Sequence, residues 1–187
     1  MNNHSVRRQE LFVYFENCVK RHFDFLDGMF QSIDKKTMGW IIRYVSSKVE
    51  VYIYYERISY EINLALSLKE LNITLYIEEI VNGIDKRKFL SATSEPAVEN
   101  AVTELKTLIT KHGRQFISGD IKAFRSIVEV RERNAKDHEL VLIDEKAVKA
   151  WENGNYNEVV ALYQSIRDEL TSIQEKRLSL SLKKIEE

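Results

Sequence analysis

The chain reads as an α+β protein: a small antiparallel β-meander packed with an N-terminal helix, followed by a helical C-terminal part. Three observations predict this. Residues 49–68, VEVYIYYERISYEINLALSL, form two alternating runs joined by a short polar break. A period of two marks half-buried strands, because successive side chains leave a strand on opposite sides. Residues 6–26 carry an apolar stripe at helical spacing, and helical periodicity resumes after Pro96 and persists almost to the end. The implied organisation is a helix plus meander over 1–90. Four to five helices over 91–187 pack on it as one compact unit.

In order along the chain, Leu11, Phe12, Phe15, Val19, Phe23 and Leu26 recur every three or four residues and define one face of the first helix, with Gly28 as its stop. Residues 40–46, WIIRYVS, are a candidate strand. In the next strand Val49, Val51, Ile53 and Tyr55 share a face opposite Glu50, Tyr52, Tyr54 and Glu56. In the one after it, Tyr60, Ile62, Leu64, Leu66 and Leu68 oppose Glu61, Asn63, Ala65 and Ser67. The segment 68–81 fits either a short helix or a strand over 72–77. Residues 82–96 form the main connection and hold the basic cluster Lys86-Arg87-Lys88, read as a solvated loop. Ser94 and Pro96 suit the start of a helix that ends at His112-Gly113. Further helices are expected over 121–133, 144–153, 155–168 and 171–185, with Asn153-Gly154-Asn155 as a hairpin break and Thr171 as a cap.

Composition narrows the function classes. The net charge of −1 is balanced in both halves, so bulk electrostatics give no strong case for nucleic acid or an anionic membrane. No stretch approaches the ~20 apolar residues of a membrane span. A single cysteine, Cys18, fits a reducing compartment, and the N-terminus lacks the apolar run of an export signal, so a cytoplasmic location is expected. Neither GxxxxGK[ST] nor GxGxxG occurs, and the four histidines are scattered without HExxH or paired CxxC. No cofactor and no metal site are therefore expected. Cys18 and His22 lie one helical turn apart, but without a third orienting residue the pair reads as an inert buried thiol beside a polar neighbour.

Three resemblances bear on function. The string GNYNEVVALYQSI from Gly154 to Ile166, with Ala147 and Trp151 before it, resembles the second half of a tetratricopeptide repeat, which implies a helix hairpin. Arg133-Asn134-Ala135-Lys136-Asp137-His138 resembles the Arg-polar-x-x-x-His motif of HEPN ribonucleases. That resemblance implies catalysis by Arg133, Asn134 and His138, with His138 moving a proton and Arg133 holding phosphate. The aromatic N-terminal helix with Phe23-Asp24-Phe25-Leu26, the meander 49–68 and the helical tail around Trp151–Tyr163 together resemble small bacterial immunity proteins.

The leading expectation is a non-enzymatic protein-binding protein, with the immunity resemblance implying an inhibitor that covers the active site of a basic toxin domain. Its candidate binding residues are Glu50, Tyr52, Tyr54, Glu56 and Glu61. Tyrosine offers rigid amphipathic contact area, and carboxylates add electrostatic selectivity for a basic partner. The alternatives are the HEPN-like ribonuclease and a helical scaffold. The pattern leaves open whether a helix covers the Tyr/Glu face, and it does not indicate an oligomeric state.

Overall fold

The computed structural model describes residues 3–26, 28, 30–36, 39–56, 58–81 and 92–187. It is an α+β fold. Helix α1 (Asn3–His22) leads through a 3₁₀ turn (Asp24–Leu26) into β1 (Phe30–Lys36), β2 (Gly39–Val45), β3 (Val49–Glu56), β4 (Ile62–Leu68) and β5 (Ile73–Tyr76). One turn of helix, α2 (Ile77–Ile80), follows directly. Helices α3 (Glu95–His112), α4 (Arg114–Ile117), α5 (Ile121–Glu152), α6 (Tyr156–Ser165) and α7 (Ser172–Glu186) complete the chain. The basic cluster at 86–88 lies outside the described residues.

The sheet has five strands in sequence order, each antiparallel to the next. Register puts Ile42 beside Ile53 and Ile53 beside Leu64, while Val51 faces Leu66 and Leu66 faces Leu75. These side chains are buried, together with Val49, Tyr55, Ile62 and Leu68. Burying each such aliphatic side chain contributes roughly 1.5–3 kcal/mol relative to exposure, so this face is the main stabilising surface of the sheet. Helix α1 lays Phe12 flat on Trp40, with ring centroids 4.9 Å apart, and Phe12 and Phe15 both meet the Tyr55 ring. Helix α3 contributes Val98, Val102, Leu105 and Ile109 and packs on α1 and β4.

Several expectations are corrected. The first helix stops at His22, where Phe23 N–H still donates to the Val19 carbonyl and a 3₁₀ turn takes over. Tyr60 is not a strand residue. It sits in the β3–β4 connection with φ 58°, a left-handed conformation that bulky side chains rarely adopt. Segment 68–81 is strand and then helix, not one or the other. The separate helices expected over 121–133 and 144–153 are one continuous helix of 32 residues. Nothing between Ile121 and Glu152 is Gly or Pro, and Glu129/Arg133 and Glu132/Lys136 stand at the favourable acid-first i,i+4 spacing.

Contacts divide the chain into two compact units, Met1–Ile127 and Val128–Glu187. The division falls inside α5 and not after residue 90, because α3 packs on α1 and β4 and so belongs with the sheet. The second unit has its own small core of Ala147, Ala150, Val159 and Tyr163, with Trp151, Leu162 and Leu178 packed around it. Gly154, at φ 72°, makes the turn between α5 and α6, and Asn155 Oδ1 accepts from the Glu158 N–H to cap α6. Trp151 and Tyr156 meet edge to face across that turn. The core residues of α6 are Val159 and Tyr163, with Val160 half-buried beside them. Thr171 and Gln174 form a reciprocal capping box on α7. Among the described residues no helix is long and apolar enough to cross a membrane.

Candidate functional site

The second face of the sheet holds the predicted binding residues, and it is not buried like the first. Arg43, Tyr52, Tyr54, Glu50, Asn63 and Ser67 are all half-exposed. Register sets Tyr52 between Arg43 and Ala65, and Tyr54 between Ile41 and Asn63. The five candidates then separate into two environments.

At one end Glu50 is internally satisfied. Arg43 donates to both its oxygens, from Nε at 3.0 Å and from a terminal nitrogen at 2.5 Å. The Tyr52 hydroxyl also donates to Glu50, and Lys69 Nζ lies 3.7 Å away. The Arg43 guanidinium stands 5.7 Å over the Tyr52 ring. The Arg43 hydrogen bonds hold the Glu50 carboxyl below its usual range, against an opposing effect of burial. A carboxylate so paired has little field left for a partner.

At the other end the described residues bring carboxylates together. Glu56 and Glu61 face each other across β3 and β4, where the Glu56 N–H donates to the Glu61 carbonyl at 2.8 Å. Like charges directly opposed on a sheet are destabilising. Glu78, from α2, accepts from Asn63 Nδ2 at 2.6 Å. Tyr54 lies among these groups. Burial, followed by the charge of Glu78 and contributions from Tyr76, Glu56 and Glu61, raises its hydroxyl well above the ordinary tyrosine range. Among the described residues, no cation forms an ion pair with Glu56, Glu61 or Glu78. Sequence reasoning missed Glu78, because the one-turn helix that positions it was ambiguous.

A second polar assembly joins α1 to α3. Tyr14, Cys18, Arg21 and His22 fall on one stripe of α1, at spacings of four, seven and eight from Tyr14. Glu99 on α3 meets all four. Its Oε2 accepts from the Tyr14 hydroxyl at 3.1 Å, from Cys18 Sγ at 3.2 Å and from Arg21 at 2.5 Å. Its Oε1 lies 2.6 Å from His22 Nε2. The hydrogen bonds from His22 and Cys18, aided by Tyr14 and Arg21, pull the Glu99 carboxyl down to about 2. Burial, then the bond to Glu99, pushes the Cys18 thiol up to about 12. The third residue absent from the Cys18–His22 reading is therefore Glu99.

This geometry does not build a cysteine nucleophile. The sulfur is buried, it is held as a thiol, and its hydrogen bond runs to the carboxylate and not to the histidine. Metal binding is a different matter, since the ligand atoms of Cys18, His22 and Glu99 all lie within 4.8 Å of one another. Arg133, Asn134 and His138 are exposed along the middle of α5. Successive turns of one helix carry them. Compared with known proteins, the chain matches no family model, no curated protein and no solved structure.

Proposed function

We propose that this protein acts by binding another protein, using the Tyr54 end of the open sheet face to take a basic segment of its partner. The observation that carries this reading is the group of Glu56, Glu61 and Glu78 around the half-buried Tyr54 ring. A lysine or arginine entering there relieves the repulsion between the opposed carboxylates, and it also gains a tyrosine face. Tyr52, Arg43 and Glu50 serve as a preorganised neutral platform beside it. The narrower form of the proposal is an immunity or inhibitor protein that covers a basic active-site region of a toxin. Its support is the resemblance in the N-terminal helix, meander and helical tail, together with the acidic character of this corner.

The test is affinity capture from the source organism with the parent protein and with a Glu56→Lys, Glu61→Lys, Glu78→Lys variant. The expected result is a basic partner held by the parent at low salt, weakened as salt rises, and lost by the variant while circular dichroism is unchanged. A partner captured equally by both proteins refutes the assignment to this corner.

A further inference from the structure

We propose that Cys18, His22 and Glu99 form a binding site for a divalent cation of the zinc class. The donors are sulfur, imidazole nitrogen and carboxylate oxygen, the ligand set that zinc takes. Two come from one helix at i,i+4 spacing, which directs both to the same side, and the third comes from a facing helix.

Two of the three ligand separations lie close to those of a zinc site, and all three ligand atoms lie within 4.8 Å of one another. Zinc holds sulfur at about 2.3 Å and nitrogen or oxygen at about 2.0–2.2 Å, so tetrahedral ligand atoms stand roughly 3.2–3.8 Å apart. Here Cys18 Sγ and Glu99 Oε2 are 3.2 Å apart, and His22 Nε2 and Glu99 Oε1 are 2.6 Å apart. Hydrogen bonds now hold the ligands together. An ion entering between them lengthens the His22–Glu99 approach by somewhat less than 1 Å on those figures.

The charges also balance. A Cys18 thiolate and the Glu99 carboxylate together offset two positive charges. On binding, a sulfur–metal bond replaces the S–H bond, and the thiol proton leaves to solvent. His22 binds through Nε2 with its proton on Nδ1, and Glu99 donates an oxygen lone pair. No electron changes owner. Arg21 now occupies Glu99, but its side chain is 60 % exposed and is free to turn outward. The thiol is buried, whereas His22 and Glu99 reach solvent, so a fourth position opens on their side for water. Tyr14 stays as a donor to Glu99, an outer partner of the kind that orients metal ligands.

The experiment uses the full chain, stripped with chelator and titrated with Zn²⁺ against a chromophoric competitor, and separately with Co²⁺. One equivalent of each ion is expected to bind. The cobalt form should show a thiolate charge-transfer band that disappears in Cys18→Ser. His22→Gln and Glu99→Gln should each lower zinc affinity by at least about 100-fold, the upper end of the effect of losing even an outer partner. Tyr14→Phe should lower it by about tenfold, and Arg21→Gln should raise it. His22 is half-exposed, so its variant keeps the test decisive if Cys18→Ser fails to fold. Absence of stoichiometric binding overturns the proposal. So does binding indifferent to both Cys18→Ser and His22→Gln, or weaker zinc binding in Arg21→Gln.

Discussion

Replacing Glu99 by Gln removes the charge on which Tyr14, Cys18, Arg21 and His22 converge, and its effect is predictable in sign, size and pH range. The folded-state pKa is about 2 against an ordinary value of 4.5. A depressed carboxylate stabilises the fold fully above the unfolded value and loses that contribution as pH falls through the folded one. The active window is therefore about pH 4.5 down to about 2. Each pKa unit corresponds to about 1.4 kcal/mol, which sets an upper bound near 3.4 kcal/mol. The Glu99 side chain is 31 % exposed, so solvent screening reduces this to about 1–2 kcal/mol. For a chain of this size the loss lowers Tm by roughly 2–8 °C. Urea unfolding followed by Trp40 fluorescence in a Trp151→Phe background is the suitable assay, because Trp40 stacks on Phe12 of α1 and Trp151 lies in the other unit. The parent should exceed Glu99→Gln by about 1–2 kcal/mol at pH 7, with the gap closing as pH approaches about 2. A gap equal at pH 3 and pH 7 refutes the electrostatic account. A gap below about 0.5 kcal/mol at pH 7, the size of an ordinary surface substitution, refutes the clamp altogether.

Two further substitutions probe the sheet unit. Tyr55→Phe removes the hydroxyl that donates to the buried Ala92 carbonyl and ties β3 to the approach to α3. The expected loss is about 1–2 kcal/mol, read as a lower urea midpoint at unchanged slope. Gly113→Ala places a methyl 2.1 Å from Ile109 Cδ1 and 2.6 Å from the Ile109 carbonyl oxygen, between α3 and α4. A backbone oxygen cannot step aside, and a destabilisation of about 1–3 kcal/mol in thermal unfolding is expected.

The hairpin of β3 and β4 was legible because both its faces are written in a strict alternation that a core on one side enforces. β1 was not. Its FQSIDKK carries three charged residues in seven, and it lies at the edge of the sheet, where charges are common because they discourage further pairing. The charged stretch 129–139 of α5 misled in the opposite direction. The absence of apolar periodicity there suggests two helices, 121–133 and 144–153, but helices end where capping residues, Gly or Pro end them, and an exposed charged run with acid–base pairs one turn apart is good helix. The division between units was hidden for a related reason: it falls within an unbroken helix, so no linker composition marks it.

The candidate sites illustrate what alternation and spacing leave out. Glu50, Glu56 and Glu61 look equivalent in the sequence, since all three lie on the polar face of a strand. In the fold Glu50 is saturated by Arg43, Tyr52 and Lys69, whereas Glu56 and Glu61 confront each other. The second pairing was open to inference, because a connection of six residues closing on Tyr55 opposite Ile62 also sets Glu56 opposite Glu61. Glu99 was not, because its partners lie 77 to 85 residues away and its neighbours in AVENAV mark it as an ordinary helical acid. What distinguishes a binding carboxylate from a structural one here is whether the chain already supplies its counter-charge. By that criterion Glu50 belongs to the scaffold, whereas Glu56 and Glu61 form no ion pair with a cation among the described residues. Glu99 stands between the two cases: its counter-charge is supplied by Arg21, an exposed side chain that a metal ion can displace.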